Sequence, residues 1–341
     1  GSRRLDAQGQ PIPTYDQDDI LNMARVFTGM SWGGADTSVT RWLGNTLNGE
    51  STQRWDLPMQ FYPQYHAPEE KVILKRLTIP AGTAGQATFD QAVDVLFNHP
   101  NVGPFLSEQL IQRLVTSNPS RAYVRRVAEV FNNNGQGVRG DMKAVLRAIL
   151  LDAEARTVPA AGSAAGKLRE PVMRFAQWLR GFEASAPSGL HRITGLDNPV
   201  SALGQGPFKS PSVFNFYRPD YSPPGALAAA GVRAPEFQIT HETTVTGYAN
   251  FIYNVIALGY GSGSNGLNGN YSAELALAHT PRVLVDHVAR RLGIAYLSPE
   301  TRTEVISMVE SYGMFDTSGA QRRVVAAVSG LMQSPEYLIE R

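Results

Sequence analysis

Cysteine is absent from all 341 residues. The chain therefore forms no disulfide, no thiolate metal site and no thiol nucleophile, although this absence fits cytosol and periplasm alike. Excess charge is also missing. Formal charge is +1 and charged residues make up 18%, so no broad field steers the chain toward nucleic acid or an anionic membrane. Lysine is scarce, five against 26 arginines, a bias that more often reflects genome base composition than chemistry. No run of 18 apolar residues spells a transmembrane helix. His241 and Glu242 are adjacent, but no second histidine follows at metalloprotease spacing, and no metal or other cofactor is expected.

What is present is 43% hydrophobic composition, ample for a core, and a strong helical period. In residues 99–156, Phe105, Leu106, Leu110, Ile111 and Leu114 mark one helical face. Pro119 stops that helix and Ser120 is placed to cap the next, whose stripe is Tyr123, Val124, Val127, Val130 and Phe131. The turn NNNGQGVRG and the cap Asp141 lead to a third stripe of Met142, Val145, Leu146, Ile149 and Leu150. The turn offers Asn132, Asn134 and Gln136 as oxygen donors, yet lacks the acids and terminal glutamate of a calcium loop.

A similar pattern returns near the C-terminus. His99 matches His279 and Pro119 matches Pro299, each about 180 residues apart, with Phe131 against Tyr312 and Glu154 against Glu336. Ser298 and Pro299 start the second middle helix, with Val305, Met308, Val309 and Tyr312 as its stripe. Ser318 and Gln321 have capping-box spacing, and Val324, Val325, Val328, Leu331 and Met332 form the last stripe. This suggests an internally duplicated three-helix unit, although any two amphipathic triplets share part of the pattern.

Elsewhere, Asp16 is a plausible cap for a helix with Ile20, Ala24 and Phe27 facing inward. Residues 31–87 lack a helical period and carry Trp32, Trp42, Trp55, Phe61, Tyr62 and Tyr65. A loop region of this length is either packed by its own side chains or functional, and packing is favoured. RWDLPMQFYP and KVILKRLTIP read as short strands. Thr88 and Gln91 have the spacing of a helix start. Pro171 opens a helix with Val172, Phe175, Ala176, Leu179 and Phe182 buried, and a long helical stretch runs from about Pro235 to Leu258.

GKLREP, SPSVFNFYRPDYSPPG, HPNVGPFLSEQLIQRLVTSNPS, YDQDDILNMARVFTG, GVRGDMKAVLRAILLDAEAR and APEFQIT together resemble the bacterial family called domain of unknown function 1800. The resemblance covers most of the chain and the C-terminal part of the family's usual length. It implies a mostly helical protein, commonly exported by Gram-negative bacteria and often encoded beside a sulfatase-like family. It transfers no catalytic residue. The opening Gly1-Ser2 in a polar stretch suggests a piece of something longer, so the lack of a signal peptide says nothing for the cytoplasm.

SPSVFNFYRPDYSPPG is the most unusual stretch. Phe214, Asn215, Phe216, Tyr217, Arg218 and Tyr221 form a stiff, proline-bounded candidate binding loop, with Arg218 suited to a carboxylate. The competing reading has its aromatics plugging the core while Asn215 and Arg218 satisfy carbonyls. Glu170, His241 and Glu242 are weak catalytic candidates. Glycoside hydrolysis needs two facing carboxylates, and the sequence leaves open whether Glu170 meets Glu236 or Glu242; with Lys167 and Arg169 beside it, an ion pair is the simpler role. His66 with Glu69, Glu70 and Lys71 offers a possible general base, a solvated turn being the plainer alternative.

The expected fold is mainly α, a helical globule with two similar three-helix units, irregular aromatic and proline-rich segments, and at most a small β-hairpin. Its parts are residues 1–87, an N-terminal helix with a long irregular segment; 88–157, the first unit; 158–270, connecting helices and the aromatic loop; and 271–341, the second unit, all in one compact domain. The expected function is a periplasmic or extracellular module that binds a partner protein or glycan at the cell envelope. The alternative is a polysaccharide hydrolase or lyase.

Overall fold

The computed structural model describes residues 5–45, 56–157, 165–213, 215–314 and 318–340. Trp55, Phe214 and most of the small-residue run after Thr157 lie outside them. The fold is mainly α. Backbone proximity divides the chain into two compact units, Gly1–Val102 and Gly103–Arg341.

The first unit begins with α1 (Gln17–Val26), capped by Asp16, whose side chain accepts from the amides of Asp18 and Asp19. Ile20 and Phe27, expected to face inward, are 49% and 45% exposed, and Ala24 is exposed as well. The helix is rolled the other way. Asp19 is buried because its Oδ1 accepts from Leu74 N at 2.7 Å, where the backbone has φ +52°. That polar contact sets the face, and Val26 joins Ile73, Ile79 and Ala92 in a small core.

β1 (Met30–Ser31), α2 (Val39–Trp42) and β2 (Gln60–Phe61) follow, with β1 antiparallel to β2. KVILKRLTIP forms a hairpin of β3 (Lys71–Ile73) and β4 (Leu77–Ile79). Tyr62 is fully buried and donates to Trp32 O at 2.6 Å, while Trp42 lies edge-on to it, so this irregular region is packed by its own aromatics. α3 (Gly85–Phe97) starts before the expected Thr88, which is buried within the helix.

The second unit, from Gly103 on, holds all but the first residue of α4 (Val102–Leu114), then α5 (Arg121–Asn132), α6 (Met142–Leu151) and the short α7 (Ala153–Arg156). Tyr123, Val127, Phe131, Val145 and Ile149 are buried as expected, whereas Met142, Leu146 and Leu150 are 38%, 38% and 53% exposed. Two flanks of α6 are apolar, and among the described residues only one is buried. Phe105 and Leu114 on α4 are likewise exposed, with Ile111 inside.

β5 (Lys167–Leu168) leads into α8 (Pro171–Gly181), after which an irregular segment and α9 (Ala226–Ala229) reach α10 (Glu242–Leu258). The expected continuous helix from Pro235 is broken. Pro235–Ile239 is a 3-10 turn, and Thr244 interrupts the join, donating to Ile239 O at 2.8 Å and accepting from His241 N at 3.0 Å.

Then come α11 (Ser272–Ala276), α12 (Pro281–Arg291), α13 (Pro299–Glu310), α14 (Gly319–Met332), α15 (Pro335–Leu338) and β6 (Ile339–Glu340), which pairs with β5. The main core joins Phe175, Trp178 and Phe182 of α8 and its end to Ile252, Val288, Val309 and most of α14. α14 is its centre, with α10, α12 and α13 packed round it.

The two ends of this unit share one set of contacts. Ser120 caps α5 and is held by Glu154 at the start of α7, through its amide at 2.8 Å and its hydroxyl at 2.5 Å. Ser298 caps α13, and Glu336 at the start of α15 accepts from Ser298 N at 3.4 Å and from Thr301 Oγ1 at 2.9 Å. These caps align Ser120 with Ser298, so Pro119 and Pro299 stand on opposite sides of the cap and Phe131 aligns with Val309.

A closed charged cluster as candidate functional site

The polar centre of the second unit gathers side chains from five separate stretches. α4 supplies Gln112 and Arg113, and Ser117 follows it; the segment before α8 supplies Lys167 and Glu170; Gln205 ends a turn; Tyr217 lies in the proline-rich loop; and Glu236 is in the turn Pro235–Ile239. Glu170 occupies the cap position of α8 with Pro171 at the first helical position, which aims its carboxylate back toward α4.

Arg113 Nη1 donates to Glu170 Oε1 and contacts the Tyr217 hydroxyl. Its guanidinium also lies 5.0 Å from the Tyr217 ring centre. The other oxygen of Glu170 accepts from Gln205 Nε2 at 2.6 Å, and Gln205 Oε1 accepts from Val172 N at 3.1 Å. Lys167 Nζ donates to Arg113 O at 2.6 Å and lies 3.7 Å from Glu236 Oε1, while Ser117 Oγ donates to Glu236 Oε2 at 3.4 Å. Gln112 Nε2 bonds Ser117 O and Pro219 O, at 3.1 and 3.2 Å, tying the loop to α4.

Electrostatics separates the two carboxyls. Burial pushes Glu170 up, but the Arg113 charge and the hydrogen bonds from Tyr217, Gln205 and Arg113 outweigh it and hold the group below the ordinary carboxylate range. At Glu236 burial dominates and the group is raised, with the Glu170 charge adding to the rise and Lys167 opposing it. Burial, followed by the Glu170 charge, raises the Tyr217 hydroxyl. Glu170 and Glu236 are only 6% and 2% exposed. Both carboxyls are closed off from water, while the Arg113 side chain stays 40% exposed.

Of the sequence candidates, Glu170 and Tyr217 meet in this cluster, and Glu236 is the acid that joins them. His241 and Glu242 are exposed at the start of α10. Asn215, at φ +69°, and Phe216 are half-buried, Tyr217 is buried, and Tyr221 is half-buried, its carbonyl accepting from Ala234 N at 2.8 Å. Arg218 is exposed and lies 3.5 Å from Asp220. Phe214 is outside the described residues. In the first unit His66 Nδ1 is 2.9 Å from Thr28 O, and Lys71 is buried with Nζ on the carbonyls of Ala67 and Glu69. The solvated turn expected here holds for the exposed Glu69 and Glu70, whereas Lys71 is drawn inside by those carbonyls.

Arg113 and Gln205 were not legible from sequence as members of a site. Among the described residues no group of three His, Asp or Glu is placed to hold a metal, and no helix is long and apolar enough to cross a membrane.

Residues 6–339 match the family described as protein of unknown function (DUF1800). The chain belongs to that family. No curated protein and no solved structure matches it. Within this DUF1800 chain, the cluster clamps the loop that follows Gln205 onto α4. On that loop Phe208 and Val213 are fully exposed.

Proposed function

We propose that this protein is a binding module of the cell envelope, exported as the family resemblance implies, which engages a partner protein through the segment 206–223. One observation carries the reading. Tyr217 is gripped by Arg113 in a charged cluster while Phe208 and Val213, on the same segment, stand at 106% and 96% relative exposure. A buried anchor beside displayed apolar side chains is the arrangement of an interface hot spot, where a few apolar groups fill a partner's pocket. A glycan platform would set several open aromatic faces side by side, and here, among the described residues of the segment, only Phe208 is a fully open aromatic while Tyr217 is buried and Phe216 half-buried. The sulfatase-like protein often encoded alongside is the first partner to test.

The experiment is an equilibrium binding measurement with that partner, using wild-type protein and the Phe208→Ser/Val213→Ser variant. A loss of tenfold or more with unchanged folding supports the reading. Unchanged affinity in the variant, or binding to a glycan array instead, overturns it.

One observation favours a second reading, a polysaccharide hydrolase or lyase: Glu170 is held low and Glu236 is raised within one cluster, the division of proton affinity that acid–base catalysis uses. Both acids are sealed, so this reading requires the cluster to open. Turnover of an acidic or neutral polysaccharide that is abolished by Glu236→Gln, in a variant that still folds, would establish it.

A further inference from the structure

Aligning the caps of the two short helices, Asp152 of α7 with Ser334 of α15, sets α6 against α14. Met142, Leu146 and Leu150 then correspond to Val324, Val328 and Met332. These last three are 1%, 0% and 0% exposed, against 38%, 38% and 53% for the α6 set. The difference lies in what covers them. On α14 the long helix α10 lies along this flank: Tyr248 donates to Met332 O at 3.0 Å, and Ile256 shares a cavity wall with Val324 and Val325. On α6 the matching flank, spaced i, i+4, i+8 and thus one continuous stripe, faces outward.

One side of that stripe is basic. Lys143 and Arg147 are exposed one helical turn apart beside it. The neighbouring acids are engaged elsewhere. Asp152 accepts from Arg126 Nε and Nη2, each at 2.7 Å, Glu154 holds Ser120, and Asp141 accepts from Asn134 at 2.7 Å and from Ala144 N. A helix laid on this face would meet an apolar centre and a positive edge, so the complementary occupant is apolar in the middle and acidic at its margin.

We propose that the Met142–Leu146–Leu150 face of α6 seats an amphipathic helix of a partner protein bearing Asp or Glu along its edge, lying on α6 as α10 lies on α14. This surface uses none of the residues of the 206–223 segment and stands independently of it.

The test places a photo-crosslinking amino acid at Leu146 of the full-length protein, in the cells that make it, and maps the products by mass spectrometry. The expected product joins position 146 to an acid-flanked helical segment of another protein, and Lys143→Glu/Arg147→Glu lowers its yield at least fivefold. Products with a second copy, with another segment of this chain or with lipid, or no product at all, overturn the proposal. In parallel, fluorescence anisotropy measures a synthetic 18-residue helix with a leucine stripe and glutamate flanks. It should bind at least tenfold more tightly than its lysine-flanked twin and lose that binding with Leu150→Ser. Equal affinity of the two peptides, or an unaffected Leu150→Ser variant, overturns it as well.

Discussion

Lys167 Nζ and Glu236 Oε1 stand 3.7 Å apart with their side chains 5% and 3% exposed, a pair almost sealed from water. Desolvation makes such a pair a weak source of net stability but a costly one to break. Lys167→Met should therefore cost about 3–5 kcal/mol at pH 8, whereas the double change Lys167→Met/Glu236→Leu should be close to neutral. The pH dependence follows from Glu236. Its folded-state carboxyl is raised by burial, so it binds a proton more tightly folded than unfolded. That contribution is full below the ordinary glutamate pKa and lost as pH rises through the raised value. Urea midpoints should accordingly place Lys167→Met closer to wild type at pH 5 than at pH 8. Equal deficits at both would refute the role given to Glu236.

Arg113 acts on the other acid with the opposite sign. Glu170 is held below the ordinary range, burial being outweighed by Arg113 and the surrounding hydrogen bonds, so its contribution is present above the usual carboxylate pKa and disappears as pH falls through the lowered value. Since Arg113 is 40% exposed, the cost of Arg113→Met is discounted to about 2–3 kcal/mol near pH 7. The deficit should shrink in acid. Because Arg113 also contacts Tyr217, limited proteolysis should cut the variant within 206–223 faster than wild type, and an unchanged cleavage rate would show that this contact does not tether the loop.

The Ser–Glu clasps give a matched pair of tests. Ser120 accepts from Tyr123 N at 3.1 Å and Ser298 from Thr301 N at 3.2 Å, so each alanine substitution should cost about 1 kcal/mol for the lost cap. Glu154→Ala and Glu336→Ala should each cost a similar amount, since each frees an amide and a hydroxyl. Chemical denaturation of the four single variants checks this. A clasp that matters at one end of the unit and not at the other would remove the functional likeness between the two triplets.

The helices were legible in the sequence because capping and periodicity are local. Ser120, Asp141, Ser298 and Pro171 stand at helix starts, and every expected apolar position of α14 is buried. Sidedness was less legible where a polar contact competes. Asp19 reaches Leu74 across 55 residues and turns α1 over, and no window of sequence contains that bond. Met142, Leu146 and Leu150 complete an ideal stripe, yet that flank is exposed. The charged cluster was legible only in part: Lys167 and Glu170 are distinctive in GKLREP, and Tyr217 in its aromatic loop. Arg113 looks like a solvated residue of an ordinary helix, and Gln205 like a loop polar group, until the fold brings α4 and the 196–205 turn to the same carboxylate.

That turn supports the last prediction. α10 passes it at Gly247, where an added Cβ would lie 2.4 Å from Pro199 O and 3.0 Å from Val200 O. Glycine within a helix costs about 1 kcal/mol relative to alanine, so an open site would gain from Gly247→Ala. Here the obstruction is backbone, not the far end of a flexible side chain, and the turn is itself pinned by Asn198, which accepts from Val200 N at 2.9 Å and Ser201 N at 3.2 Å. Overpacking should win, leaving Gly247→Ala about 2 kcal/mol less stable than wild type. Displacement of the turn should also loosen Gln205 from Glu170. Gly181→Ala is the control, since its Cβ would meet only Arg291 O at 3.7 Å, an ordinary contact. It should be neutral or slightly stabilising in the same denaturation experiment, and a Gly247→Ala variant as stable as that control would mean that α10 does not press on the turn.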